Sequence, residues 1–224
     1  MNGFSMTRLA GLAAIGFSIA ATAMPAFAAE PSHADLNAVA RCAVSKDRDA
    51  LARAVRALPL TSDAVQIDAA RLGDAASCVS GGAFEGPAMI VRGAVAQAFY
   101  FVDFREVGME PRTPVRNFAD LGWPAIGDDD PVSDPGVALF KLGDCVARND
   151  ADNVDKLMRA PYGSAAAKKL VALLSPYYTA CYPKGAEISA SRDTLQAAIA
   201  QGAYYAGVRY WKGQLNMVQK VGSR

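Results

Sequence analysis

One histidine, His33, is all the 224-residue chain contains. A single imidazole leaves little room for a His-built metal centre or a histidine-based catalytic triad. Charge of one sign is also missing: 23 Lys and Arg stand against 22 Asp and Glu, for a net +1. Such a balance excludes nucleic acid or an anionic membrane surface as a bulk electrostatic partner. No apolar run beyond Ala28 is long enough to span a bilayer, which takes about 20 residues. Catalytic signatures are absent as well. The chain carries no G-x-S-x-G, no H-E-x-x-H, no S-x-x-K with a K-T-G, and no Gly-Lys phosphate loop. The four cysteines include no C-x-x-C pair of the kind that zinc and redox sites use.

The first element present is an export signal. Arg8 is the one charge ahead of an uncharged Leu9–Ala23 run, followed by Met24-Pro25-Ala26-Phe27-Ala28. Pro25 breaks the helix, and Ala26-x-Ala28 supplies the small residues a signal peptidase requires, so cleavage is expected after Ala28. Ala21-Thr22-Ala23 is a second candidate cleavage site, and a short N-terminal membrane anchor is the alternative reading. No cysteine follows the apolar run to carry a lipid. The expected product is periplasmic or secreted, with no membrane span after signal removal, in a compartment where disulfides persist.

The cysteines carry the second signal. Cys42 and Cys78 are 36 residues apart, and so are Cys145 and Cys181. At the offset between these pairs, Asp47 aligns with Asp150, Asp49 with Asp152, Arg56-Ala57 with Arg159-Ala160, and Gly82-Ala83 with Gly185-Ala186. With one residue inserted, Ala96-Gln97 aligns with Ala200-Gln201 and Tyr100 with Tyr204. This pattern predicts a tandem duplication with a unit longer than the common solenoid repeats. Four cysteines allow three pairings. A unit that duplicates with its own bridge favours Cys42–Cys78 and Cys145–Cys181.

Each copy reads as about four helices. Leu36, Val39, Ala40 and Ala43 recur at helical spacing, and Leu51, Val55 and Leu58 follow at i, i+4, i+7 until Pro59. Thr61-Ser62-Asp63 is expected to cap a third helix running to Cys78 and ended by Gly81-Gly82, with Glu85-Gly86-Pro87 opening a fourth through Phe104. The second copy repeats the order over 137–148, 152–159, 165–174 and a last helix after Ser189-Ala190-Ser191. The expected fold is therefore all-α: a signal peptide over 1–28, helical repeats over 29–109 and 137–224, and a connector over 110–136. That connector, with Pro111, Pro114, Pro124, Pro131 and Pro135, has no helical period. Its Phe118, Leu121, Trp123 and Ile126 are expected to pack against a copy.

Several side chains are candidates for chemistry. Asp128-Asp129-Asp130 with Asp134 offers oxygens to Ca²⁺, but lacks EF-hand spacing, and a solvated acidic turn is favoured. Asp47/Asp49 and Asp150/Asp152 recur and are candidates for carboxylate hydrolysis, but they stand where helix starts attract acids. Arg56 and Arg159 fall near helix C-termini, where cations are stabilised. Ser164 reads as an N-cap. Aromatics cluster at Phe99, Tyr100, Phe101 and Phe104 in the first copy and at Tyr177, Tyr178, Tyr182, Tyr204, Tyr205, Tyr210 and Trp211 in the second. Neighbours on a helix diverge by about 100°, so they cannot all enter one core. Burial between the copies is the simpler reading; Tyr100, Tyr204, Tyr205 and Trp211 are the candidate binding surface.

The segments LGDCVAR at 142–148, TLQAAIAQGAYYAG near the C-terminus and VRGAVAQAFY at 91–100 resemble a group of uncharacterised exported proteins of sphingomonad-type bacteria, with a GDCVVR … C-L-P … LRGALAEALYR pattern. The resemblance covers both copies and not the connector, and it implies export and repetition but no activity. Cys181-Tyr182-Pro183-Lys184-Gly185-Ala186 is also similar to a short run in helical, disulfide-bonded periplasmic immunity proteins, which implies inhibition of a secreted enzyme. The sequence thus points to an exported, non-enzymatic protein without cofactor or metal that binds a protein or envelope component. A carboxylate hydrolase is the alternative.

Overall fold

In the computed structural model the described residues are 33–62, 64–79, 83–104, 118–124, 132–184, 186 and 189–222. The expected signal peptide, Asp63, Gly81-Gly82, Ile126, Asp128–Asp130 and Gly185 lie outside them. The elements are α1 (His33–Lys46), α2 (Arg48–Arg56), β1 (Val65–Asp68), two 3-10 turns (Ala69–Arg71 and Gly73–Cys78), β2 (Ala83–Gly86), α3 (Ala88–Asp103), α4 (Pro135–Asn149), α5 (Ala151–Arg159), α6 (Ala165–Leu173), α7 (Ser175–Cys181) and α8 (Arg192–Gly222). Helix dominates, as the sequence predicts. Both disulfides form with the favoured pairing, Cys42–Cys78 and Cys145–Cys181.

The chain departs from the expected all-α pattern between Thr61 and Gly86. In place of a third helix, β1 and β2 pair antiparallel, with Ile67 opposite Phe84. Both side chains are buried while Gln66 and Asp68 face water, a two-residue alternation that a helix cannot produce. Gly73 sits at φ +55°, a left-handed conformation that ends one 3-10 turn and begins the next. The helix expected over 165–174 in the second half is α6, and a further short helix, α7, carries the chain to Cys181. The expected connector gives its last two residues, Pro135 and Gly136, to α4.

Helices α1, α3, α8 and α4 form a row in which each packs on the next, and α8 lies between α3 and α4. Small residues make the close crossings possible. A Cβ on Gly93 of α3 would fall 2.5 Å from the Ala197 Cα of α8, and one on Gly143 of α4 would strike the Ala198 carbonyl. Gly202 meets the α4 backbone at Gly143–Asp144 in the same way. Gly143→Ala is therefore expected to push α4 off α8 and cost about 1–3 kcal/mol. A urea midpoint equal to that of the wild type would show that the backbones do not meet there.

The two apolar cores adjoin across α8. One gathers α1, α2, the hairpin, α3 and the inner residues Ala197, Ala198, Tyr204 and Val208 of α8; the other gathers α4–α7 with Ile199, Ala200 and Ala203. Among the described residues no helix is long and apolar enough to cross a membrane. Two disulfides with no free cysteine fit an extracellular or periplasmic protein.

Candidate functional site

Buried polar groups fix the helices around the aromatic cluster. Arg92 is 1% exposed in the middle of α3. Its guanidinium donates to the carbonyls of Val55 (2.9 Å) and Leu58 (3.1 Å) at the end of α2, and of Leu121 (2.7 Å) and Gly122 (3.3 Å) in the connector. It also reaches Gln201 Oε1 on α8 at 3.0 Å. Burial lowers its pKa to about 10, which leaves it charged at neutral pH. Gln97, one turn further along α3, donates to the carbonyls of Leu157, Met158 and Ala160 where α5 ends. Both side chains thus satisfy carbonyls that a helix C-terminus leaves open.

Arg48 at the start of α2 pairs with Asp103, whose side chain is 1% exposed, and Tyr204 Oη donates to the same carboxylate at 2.7 Å. Desolvation would lower Arg48, but the hydrogen bond and charge of Asp103 outweigh it and hold the guanidinium above its ordinary range. Burial, then the Asp103 charge, push the Tyr204 phenol up. The Ala119 amide donates back to Tyr204 Oη at 3.1 Å, so this tyrosine ties the connector to α3 and α8. Trp123 lies against both Tyr204 and Tyr205, and Phe104 against Phe118. Phe118, Leu121 and Trp123 therefore pack as the sequence predicts.

A cleft of about 400 Å³ opens between α4, the end of α7, the Tyr182–Lys184 turn and α8. The Cys145–Cys181 disulfide forms part of its wall. Phe140, Tyr182 and Tyr205 bring aromatic rings to it, and four cations line it: Lys141, Arg148, Lys184 and Arg209. Asp144 is the one acidic residue among the described lining residues, and Arg148 pairs with it at 2.9 Å. The Arg209 guanidinium lies 5.4 Å from the Tyr205 ring centroid, a cation–π seat that restricts where the cation can go. Phe140 meets the same ring edge-on at 5.2 Å. Cations and aromatic rings around a volume of small-molecule size are what a pocket for an anion requires.

No protein-family model matches the chain, and neither a curated protein nor a solved structure is significantly similar to it.

The four residues expected to form a binding surface go to different places. Tyr205 lines the cleft. Tyr204, its neighbour, is 0% exposed and corrects that expectation: its ring belongs to the core and its hydroxyl to Asp103. Tyr100 is half-buried, with its hydroxyl 3.0 Å from Asp155; desolvation, reinforced by that carboxylate, raises its pKa. Trp211 is partly buried against the first core. The structure does not bring these four together on one face.

The recurring acids cap helices. Asp47 Oδ1 accepts from the Ala50 amide at 2.9 Å and Asp150 Oδ1 from Asn153 at 3.1 Å, each worth about 1 kcal/mol. Asp49 and Asp152 stand in the first turns of the same helices. Asp134, expected as a Ca²⁺ ligand, accepts from the amides of Gly136 and Val137 and starts α4. Ser164 caps α6 through the Ala167 amide. Arg56 reaches the Asp120 carbonyl, while Arg159 pairs with Asp155 and donates to the Phe104 carbonyl. Sequence reasoning missed the cleft cations Lys141, Arg148, Lys184 and Arg209, which no local spacing marks. Tyr205 pointed there, and the two quoted segments, LGDCVAR and Cys181-Tyr182-Pro183-Lys184, also contribute to the cleft lining without having been read as parts of one site.

Proposed function

We propose that this chain is an exported, non-enzymatic binding protein, periplasmic or secreted, whose cleft between α4, α7 and α8 holds an anionic envelope component or an anionic part of a partner protein. The observation that carries the reading is the exposed pair Lys184 and Arg209 beside the aromatic rings of Phe140 and Tyr205, with Asp144 the one acid among the described lining residues of a cleft braced by a disulfide. Export is supported by the signal-like first 28 residues and the two bridges. Against the hydrolase alternative, the carboxylates that recur in the sequence, Asp47 and Asp150, are engaged in capping.

The two halves are also inferred to derive from duplication of one unit, with the intervening hairpin and the α6–α7 pair having diverged. Three correspondences support this. Asp47 and Asp150 cap α2 and α5 at the aligned positions. The bridges close loops of equal length. Gly93 and Ala197, which align at the offset that pairs Tyr100 with Tyr204, meet each other where α3 crosses α8.

The test is capture from a bacterial envelope extract by the disulfide-intact chain beginning at Ala29, beside a variant carrying Lys184→Glu and Arg209→Glu. Both positions are solvent-exposed, so the variant is expected to fold. The expected result is a stoichiometric species retained by the wild type and lost with the variant. Equal retention by both proteins would remove the cleft from the reading.

A further inference from the structure

We propose that the Cys145–Cys181 bridge is a site of thiol–disulfide exchange, opened by an incoming dithiol while Cys42–Cys78 stays closed. Both of its cysteines line the cleft, and Cys145 is only half-buried. Cys181 is 6% exposed, so the more open approach is to the Cys145 sulfur. The Cys42–Cys78 bridge has a different setting. Cys78 ends a 3-10 turn and packs against the first apolar core, and neither cysteine lines the cleft.

The surroundings of Cys145–Cys181 favour a thiolate. Asn149 Nδ2, one turn beyond Cys145 on α4, donates to the Cys145 sulfur at 3.4 Å and to the Cys181 sulfur at 3.7 Å. Among the described residues it is the only donor to a cysteine sulfur. A hydrogen bond to the charged form lowers a thiol's pKa, and a leaving thiol of lower pKa departs faster. Lys184, three residues after Cys181, and Arg209 are exposed cations of the same cleft, and they draw an anionic thiolate toward it. The acid of the lining, Asp144, has Arg148 at 2.9 Å to offset its charge.

The exchange takes two displacements. One thiolate of the dithiol attacks the Cys145 sulfur, the bridge breaks, and Cys181 leaves as a thiolate. The second sulfur of the dithiol then attacks the mixed disulfide and releases Cys145. The dithiol is oxidised to a disulfide, and its two protons end on the two cysteines. Cys181 ends α7 and the Tyr182–Lys184 turn follows it, so exchange removes the covalent tie between that turn and α4. Under the binding reading above, opening the bridge turns capture off.

The experiment treats the folded, disulfide-intact chain with dithiothreitol at neutral pH. Samples are quenched with iodoacetamide at intervals, and peptide mass spectrometry locates the alkylated cysteines. Cys145 and Cys181 are expected to become alkylated at least about tenfold faster than Cys42 and Cys78. Asn149→Asp, at an exposed position, replaces the donor by a carboxylate and is expected to slow this opening about tenfold. Lys168→Gln, an exposed cation on α6 outside the cleft, is expected to leave it unchanged. Equal rates for the two bridges, or faster opening of Cys42–Cys78, would overturn the exchange site. An unchanged rate in Asn149→Asp would overturn the part given to the amide. Envelope-extract capture by the chain alkylated only at Cys145 and Cys181 is expected to be lost; its retention would overturn control of the cleft and leave the exchange site standing. If the oxidised chain itself captures nothing, the binding reading fails, and the ratio of rates still decides the exchange.

Discussion

Replacing Arg92 by alanine is expected to destabilise the protein by about 3–5 kcal/mol, because it strips several buried carbonyls of one charged donor. Among the described residues, carbonyl dipoles rather than a carboxylate hold the charge of this buried side chain. Truncation leaves the carbonyls at the end of α2 and in the connector without their donor, and each buried orphan costs roughly 1–3 kcal/mol. Those costs overlap, because water can enter the cavity. Arg92→Lys should recover only part of the loss: a point charge cannot reach carbonyls on three sides at once as the guanidinium fork does. Urea denaturation of the two variants beside the wild type measures this, and a loss under about 1 kcal/mol for Arg92→Ala would mean that the carbonyls find other donors.

Removal of the Cys145–Cys181 bridge by a double serine substitution is expected to cost about 4 kcal/mol, the chain-entropy value for a loop of 36 residues. The bridge does more than shorten the unfolded chain. It fixes the end of α7 against α4, and the turn that carries Tyr182 and Lys184 begins at Cys181. Loss of the bridge is therefore expected to abolish ligand capture under conditions where the chain is still folded. Removing Cys42–Cys78 should cost a similar amount and leave capture intact, because that bridge holds a 3-10 turn to α1 on the other side of the molecule. Thermal melting beside a capture assay separates the two. Equal loss of capture in both double variants would show that the bridges act through global stability alone. Loss of both, about 8 kcal/mol together, would unfold a domain whose stability lies in the lower part of the usual range of about 5–15 kcal/mol.

Much of this architecture was legible before any coordinates. Equal cysteine spacing named the disulfides, and aspartates at helix starts announced α2 and α5. The segment Val65–Asp68 was legible in principle but too short to prevail: four alternating residues carry little weight beside the helix-favouring composition around them. Gly73 was the overlooked warning, since a left-handed residue in the middle of an expected helix forbids it. Tyr204 and Tyr205 illustrate a half-correct inference. The rule that helical neighbours diverge required one of the pair to leave the core, yet nothing local says which. The cleft was out of reach because its cations come from α4, a turn and α8, separated by tens of residues and brought together only by helix packing.

The position of α8 in the chain bears on how the protein comes into being during synthesis and under the proposed export. Every other described element precedes it, yet it supplies the inner wall of both cores and the seam between α3 and α4. A nascent chain that has delivered everything up to Ser191 has made two incomplete half-cores, each missing the face against which it closes. Contacts such as Arg92–Gln201 and Asp103–Tyr204 span 109 and 101 residues, so closure is governed by the slow, non-local kind of pairing. For a polypeptide threaded through a membrane in extended form, this order of assembly is useful. Under the export proposed above, the chain would stay pliable during transit and lock once α8 reaches the oxidising side, where the two bridges can also form.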